Sequence, residues 1–246
     1  PNYGEAHRVY ADILRRMKEF DKSLNHALLA VKINQKSAPA NDTLGSSYAA
    51  LNNSIKAENC FKQAILLNPN LAEIYNNLGN TQRHLGKFEE SIQSLKKALE
   101  LAPQYIEIYS NLALSYFKTK DYEDAIKILD ESFKRGNLHN KANLVDIYTS
   151  YGHIYSRIHN YKLSKEYYEK AININENFSS ANNGLGETLT AMRKPEEALK
   201  AFEKSLVNSP KVHESYSNFL FCKSSLCKLE KKDRYETALK FQELEK

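Results

Sequence analysis

The stretches LNPNLAEIYNNLGN at residues 67–80 and LAPQYIEIYSNLAL at residues 101–114 follow the same pattern, 34 residues apart. A third, more distant version is VNSPKVHESYSNFL at residues 207–220. A recurrence at a fixed spacing of this size is typical of arrays in which one supersecondary unit is stacked many times. The spacing therefore indicates a repeat architecture before any single residue is considered.

The 34-residue offset divides the chain into consecutive units. These units are residues 4–37, 38–71, 72–105 and 106–139, an insertion at 140–144, residues 145–178 and 179–212, and a degenerate last repeat or cap at 213–246. The eighth and twentieth positions of a unit are small, whereas the seventh and twenty-fourth are mostly bulky. The small residues that we expect to serve packing are Gly45, Gly79, Ala113, Gly152, Gly186, Ala57, Ala125 and Ala198.

Within a unit, the apolar positions recur at the spacing of an amphipathic helix. Small residues let two antiparallel helices approach closely, and the bulky residues fill the space beside them. Proline near the end of a unit, as at Pro69 and Pro103, ends the second helix because it has no N–H to donate. One such pair cannot bury its apolar face alone, so the pairs must stack into a solenoid.

These positions together form the motif of the tetratricopeptide repeat, and the resemblance covers nearly the whole chain. It implies an all-α fold, a right-handed superhelix of about seven helix-turn-helix repeats. It also implies a single solenoid that acts as a protein–protein interaction scaffold and takes a peptide or partner segment in its concave groove.

The resemblance places one stripe of the first helices in that groove, and the stripe is rich in amides and bases. An asparagine amide offers a donor and an acceptor, so it can pair with an extended peptide backbone. The alternative is a hydrogen bond between neighbouring repeats. The bases favour an acidic segment or a C-terminal carboxylate, although the helix dipole alone also favours cations at helix ends. The candidate peptide-binding residues are Asn76, Asn77, Asn80, Arg83, His84, Asn111, Lys118, Arg157, Asn183 and Asn218.

Two further hypotheses concern the parent protein. The segments YNNLGN (75–80) and YSNLAL (109–114) are similar to the repeats that precede the catalytic domain of O-linked N-acetylglucosamine transferase. That resemblance implies a substrate-recognition arm of a larger glycosyltransferase, whose catalytic domain is absent from this chain. The other hypothesis is a self-assembling scaffold, since His7 and Ala27 stand where large packing residues are expected. The missing initiator methionine favours an excised fragment.

The motifs of common enzymes are absent from the sequence. It has no HExxH, CxxC, GxGxxG, GxxxxGK or GxSxG pattern, so we expect neither catalysis nor a metal or cofactor within this chain. A net charge of +5 without a basic block gives little reason to expect nucleic-acid binding. The longest apolar run, Ala27–Val31, is far shorter than the ~20 residues of a membrane-spanning helix. Three cysteines make no disulfide framework, so we expect a cytoplasmic protein.

Overall fold

A computed structural model describes residues 3–135, 141–208 and 213–225. Every regular element in these ranges is an α-helix. The chain divides into two compact units, an N-terminal unit of residues 1–137 and a C-terminal unit of residues 138–246. None of the helices in the described ranges is long and apolar enough to cross a membrane.

The N-terminal unit contains four helical hairpins, each made of a first and a second helix. They are α1 (Tyr3–Arg16) with α2 (Phe20–Ile33), α3 (Ala38–Ala50) with α4 (Ser54–Leu67), α5 (Ala72–His84) with α6 (Phe88–Leu101), and α7 (Ile106–Thr119) with α8 (Tyr122–Arg135).

The C-terminal unit continues the pattern with two hairpins and one further first helix. They are α9 (Lys141–Arg157) with α10 (Tyr161–Ile174), α11 (Ser179–Ala191) with α12 (Pro195–Asn208), and α13 (His213–Ser225). The extra residues of the insertion include 141–144, which lengthen α9 at its N-terminus, whereas α8 keeps the length of the other second helices. The remainder of the expected last repeat or cap lies outside the described residues.

Local sequence explains where several helices begin. The side chain of Asn53 accepts a hydrogen bond from the backbone N–H of Lys56 at 3.3 Å, and Asn160 caps α10 in the same way. These caps satisfy amide groups that the first turn of a helix leaves without partners. The turn inside each hairpin passes through one residue with positive φ, at Lys18, Asn52, Gly86, Lys120, His159 and Arg193.

Most hairpins are closed by a small residue of the first helix against a large residue of the second, whereas the first hairpin has Ala27 at the position of the large residue. A Cβ atom added to Gly79 would lie 2.6 Å from Leu95 Cγ, and one added to Gly152 would lie 2.6 Å from the ring of Tyr168. Ala113, Ala57, Ala125 and Ala198 are fully buried. The hairpins therefore approach at distances that only small side chains at these positions permit.

Buried hydroxyl pairs join successive hairpins. Ser23 Oγ lies 2.9 Å from Ser47 Oγ, and Ser91 Oγ lies 2.8 Å from Ser115 Oγ. In the C-terminal unit, Ser164 pairs with Thr188 Oγ1 at 2.9 Å. Each first-named serine also bonds to a backbone carbonyl oxygen of its own hairpin. These hydroxyls are thus satisfied within an otherwise apolar layer.

The first helices form one layer in each unit and the second helices form another. In the N-terminal unit, α1 touches α3, α3 touches α5, and α5 touches α7, whereas its second helices make no comparable contact with one another in the described residues. Because the first helices lie closer together, the layer they form is the inner, concave side of this unit. We call the surface of α1, α3, α5 and α7 away from the second helices the inner face.

Replacing Gly79 with Ile is expected to destabilise the fold by about 1–3 kcal/mol, because the added side chain must displace buried Leu95. The free energy of unfolding from urea titration measures this effect. Gln93→Ile, on the exposed side of α6, is the control. A Gly79→Ile protein as stable as wild type would contradict the assigned packing.

Candidate protein-binding face

Asparagine side chains on the inner face join neighbouring repeats. Asn77 donates from Nδ2 to Oδ1 of Asp42 at 3.0 Å, and Asn111 donates to Oδ1 of Asn76 at 2.9 Å. Asn76 donates in turn to Glu107 at 3.4 Å. The inter-repeat hydrogen bond, one of the two explanations that the sequence allows, is therefore present for Asn77 and Asn111. Binding of a peptide backbone would have to use the remaining N–H group or the Oδ1 atom of each of these side chains.

Two cations of the first repeat, Arg8 and Arg15, are paired within the fold. Asp12 accepts from Arg8 at 3.0 Å and from Arg15 at 3.4 Å, and Thr43 Oγ1 lies 3.5 Å from the same carboxylate. Such partly exposed pairs add little stability. They do, however, compensate the positive charge at this end of the inner face.

The third and fourth repeats carry cations of a different kind. Arg83 donates to the side chain of Asn80, but its buried Nε has no hydrogen-bond partner. Burial lowers the pKa of Arg83, and burial together with the charge of Arg83 lowers the pKa of His84. Lys118, one repeat further along, is exposed. Arg83 has thus lost part of its hydration without gaining a carboxylate.

The carboxylate of Asp42 on α3 is buried, which is unfavourable for its charged form. Burial raises its pKa to about 6, although the hydrogen bond from Asn77 acts in the opposite direction. Glu73 and Asp12 raise the pKa further by repulsion, and Arg15 lowers it. The cost of holding this charge is therefore only partly offset by its neighbours.

Most of the buried side-chain atoms without a hydrogen-bond partner in the described residues lie on first helices. Among the described residues there are five such atoms, and the fifth, Oε1 of Glu58, is ion-paired with Lys62 at 2.7 Å. The other four are Arg15 Nε, Arg83 Nε, Ser110 Oγ and Asn183 Oδ1, all on first helices. Most buried polar groups in folded proteins are satisfied, so each of these exceptions needs a reason.

The C-terminal unit arranges its amides differently. Asn183 and Asn218 both donate to Oε1 of Glu187, at 2.8 and 2.9 Å. Gly184 stands where Asn77 and Asn111 stand in their repeats, and a Cβ atom there would overlap the ring of Tyr168.

The buried ring of Tyr168 on α10 lies against Gly184. Its hydroxyl lies 3.0 Å from Nδ1 of His153, and burial is the main cause of its raised pKa. Arg157, at the end of α9, is exposed.

The sequence pattern did not point to Asp42 or Tyr168. A carboxylate on the inner face resembles any exposed acid until its neighbours are known. The glycine at position 184 was a usable signal, because glycine in the middle of a helix is unfavourable and indicates a close approach. No group of three or more His, Cys, Asp or Glu side chains in the described ranges could hold a metal ion.

Family models match more than half of the chain. The models described as tetratricopeptide repeat match residues 38–71, 60–93 and 104–177, and a model described as TPR repeat matches residues 80–120. Together they cover residues 38–177 without a gap. No curated protein sequence matches this chain.

Solved structures with the same fold are distant in sequence. The APC/C hetero-tetramer Cut9–Hcn1 contains a chain that is 15% identical with a TM-score of 0.77, over 90% of this chain and 43% of that one. A tetratricopeptide repeat protein from Parabacteroides merdae is 15% identical with a TM-score of 0.74, over 100% and 93%. Yeast Tom70 is 20% identical with a TM-score of 0.63, over 84% and 43%. This chain thus spans less than half of the first and the third of these proteins, and the likeness concerns the fold.

Proposed function

Because this chain belongs to the tetratricopeptide repeat family, we propose that it is a protein interaction scaffold whose inner face in the N-terminal unit binds an acidic, extended segment of a partner protein. The observation that carries the proposal is Arg83, a partly buried cation whose Nε has no hydrogen-bond partner, and whose side chain has no carboxylate partner, in the described part of the chain. An anion from outside would supply the missing partner. Charge-assisted hydrogen bonds of this kind are among the stronger ones in proteins.

The neighbours of Arg83 support an acidic partner. Lys118 adds a second positive charge at the end of α7, and His84, which its lowered pKa keeps neutral at pH 7, offers ring nitrogens beside Arg83. In the first repeat, by contrast, Asp12 is paired with Arg8 and Arg15. The attractive part of the inner face is therefore centred on the third and fourth repeats. Long-range attraction between this face and an acidic segment would also speed association.

The glycosyltransferase hypothesis depends on asparagines that are free to hold a peptide backbone. Asn77 and Asn111 already use their Nδ2 groups between repeats, which favours a structural role. The scaffold proposal does not need these amides. A reducing, cytoplasmic setting belongs to the same proposal, and the free thiols of Cys60 and Cys222 are compatible with it.

We expect Arg83→Gln to weaken binding of an acidic peptide about tenfold, because a charged hydrogen bond contributes roughly 1.5–3 kcal/mol. The probe is a short fluorescein-labelled peptide that alternates glutamate and serine, and fluorescence anisotropy with the full chain gives its Kd. Arg135→Gln is the matched control, since Arg135 is exposed on a second helix and paired with Glu131. Binding should also weaken as salt is raised.

Equal affinities of wild type and Arg83→Gln would contradict the assigned site, and a peptide that alternates lysine and serine should not bind. Affinity capture from a cell extract with wild type and Arg83→Gln side by side would then identify the natural partner as the protein lost in the variant.

A further inference from the structure

The turn of the second hairpin borders an open cavity of about 480 Å³. Residues 51–55, which form this turn and the start of α4, line the cavity together with His84 and Leu85 at the end of α5. It therefore lies between the second and third hairpins, within the N-terminal unit. Its volume falls in the range of small-ligand pockets, roughly 300–1,000 Å³.

The sequence of the second repeat explains why the cavity is open. Most second helices begin with an aromatic residue, and each of these rings is partly buried. The first residues of α2, α6, α8 and α10 are Phe20, Phe88, Tyr122 and Tyr161. α12 begins with Pro195, and α4 begins with Ser54, whose small side chain lines the cavity. The second hairpin thus has a hydroxymethyl group where four others have a ring.

The fourth hairpin shows what fills the equivalent place. The ring of Tyr122 lies 5.8 Å from the ring of Phe117 on α7, measured between centroids. The residues at these two positions of the second hairpin are Ser54 and Ala49. Both rings are therefore missing beside this turn, and the cavity has the position of an aromatic side chain.

An exposed isoleucine next to Ser54 is a second irregularity of this repeat. Ile55, the second residue of α4, is 67% exposed and lines the cavity. The same position of the other second helices is always charged: Asp21, Glu89, Glu123, Lys162 and Glu196. An acid there is favoured by the helix dipole. The second repeat gives up this contribution and presents an apolar side chain to the cavity instead.

The lining combines apolar and polar groups. Leu51, Ile55 and Leu85 supply apolar surface, and Asn52, Asn53 and His84 supply polar groups. An aromatic ring suits such a lining, because its body is apolar while its edge carries partial positive charge that amide oxygens attract.

His84 connects the cavity with the inner face. It lines the cavity, and it directly follows Arg83, whose Nε has no hydrogen-bond partner among the described residues. Because consecutive Cα atoms are only about 3.8 Å apart, one extended segment can reach both places.

We propose that this cavity takes an aromatic side chain of the partner segment, within about three residues of the acidic residue that pairs with Arg83. The ring of the partner occupies the place that Phe20 and Phe88 fill in their own hairpins, against Ile55 and His84. This inference rests on the acidic segment proposed above and narrows it, because an acidic segment without an aromatic residue leaves the cavity empty.

Two fluorescein-labelled peptides test the cavity: the alternating glutamate–serine peptide, and a copy in which phenylalanine replaces one central serine. We expect the full chain to bind the phenylalanine peptide at least about tenfold more tightly in fluorescence anisotropy, because burial of the ring adds to the affinity. Ser54→Phe supplies a ring from the chain itself, so the ratio of the two affinities should fall below about twofold. Ile55→Gln should also lower this ratio. Leu66→Gln, at an exposed leucine near the other end of α4, is the matched control and should leave the ratio as in wild type.

Arg83→Gln separates the two sites, since it should weaken both peptides by a similar factor. Equal binding of the two peptides by wild type would overturn the aromatic site and leave the binding at Arg83 in place. A phenylalanine peptide whose binding is lost in Ser54→Phe and kept in Arg83→Gln would support the cavity and contradict the role of Arg83. Binding of neither peptide would overturn both proposals.

The stability of Ser54→Phe provides an independent check that the cavity can hold a ring. The variant should unfold at a urea concentration no lower than wild type, because α4 would then begin as α2 and α6 do. A clear loss of stability would show that a ring does not fit and would overturn the proposal. A dimer in sedimentation velocity that Ser54→Phe dissociates would assign the cavity to a second copy of the chain instead.

Discussion

Gly184→Ala is expected to destabilise the C-terminal unit by about 1–3 kcal/mol, although alanine is the better helix former by nearly 1 kcal/mol. The reason is steric, because the new Cβ atom would lie 2.6 Å from Cε1 of Tyr168 and even closer to the end of the ring. The ring cannot move aside, since Tyr168 is 1% exposed and Gly152 packs against its other side. Steric overlap therefore outweighs helix propensity, and the sign of the effect tests the packing.

A double mutant isolates this contact. Tyr168→Leu shortens the side chain and opens a cavity, so by itself it should be destabilising. In that background Gly184→Ala should become neutral or stabilising, which gives a coupling free energy of about 1–3 kcal/mol between the two sites. Asn111→Ala, at the same position of the fourth repeat, serves as the comparison, because the residue equivalent to Tyr168 there is Leu95. Additive effects in urea titrations would show that Tyr168 is not the obstacle.

Asp42→Asn is expected to stabilise the protein at neutral pH. The pKa of Asp42 is about 6 in the fold and near 3.8 in the unfolded chain, so folding favours the protonated form. This contribution to stability is complete below about pH 4 and is lost as the pH rises through 6. The shift corresponds to an upper value of about 3 kcal/mol, and partial hydration of the side chain brings the expected gain to about 1–3 kcal/mol. The asparagine oxygen can still accept the hydrogen bond from Asn77.

Urea titrations of wild type and Asp42→Asn at several pH values between 4 and 8 measure this effect. The difference in free energy of unfolding should be small at pH 4 and should grow until about pH 7. Asp12→Asn is the control with the opposite expectation, because that carboxylate is paired with Arg8 and Arg15 and its removal should not stabilise the fold. A difference between wild type and Asp42→Asn that does not vary with pH would contradict the environment assigned to Asp42.

The helical hairpins could be predicted from the sequence because the residues that pack them recur at a fixed spacing. Small residues such as Gly79 and bulky ones such as Leu95 recur at fixed spacing, and the structure places them against each other. The family models and the solved structures confirm the tetratricopeptide repeat fold. Because the pattern occurs many times, the shared positions can be recognised even where a single repeat departs from them. Repeats that differ strongly in sequence therefore still indicated the same hairpin.

The inner face was less predictable because its chemistry depends on pairs from different repeats. The sequence suggests that Asn77 and Asn111 face a groove, but whether each amide bonds to a peptide or to the preceding repeat depends on distances below 3.5 Å. The groove assignment of these asparagines stays a prediction. Asp42 could not have been singled out, because the burial of a charge is set by neighbouring helices. Tyr168 stands at a bulky position of the repeat, but its contact with Gly184 depends on how neighbouring helices pack.

The paired serine hydroxyls between hairpins have a consequence for recognition. Sliding one hairpin past the next by a single helical turn, about 5.4 Å, would separate Ser91 from Ser115 and leave each hydroxyl only its bond to a backbone carbonyl oxygen. Such pairs therefore help to fix the position of one hairpin relative to the next. Hairpins that are already fixed relative to each other need little conformational change when a ligand binds. The affinity of such a surface therefore depends on the contacts it makes with the ligand and not on a cost of rearrangement.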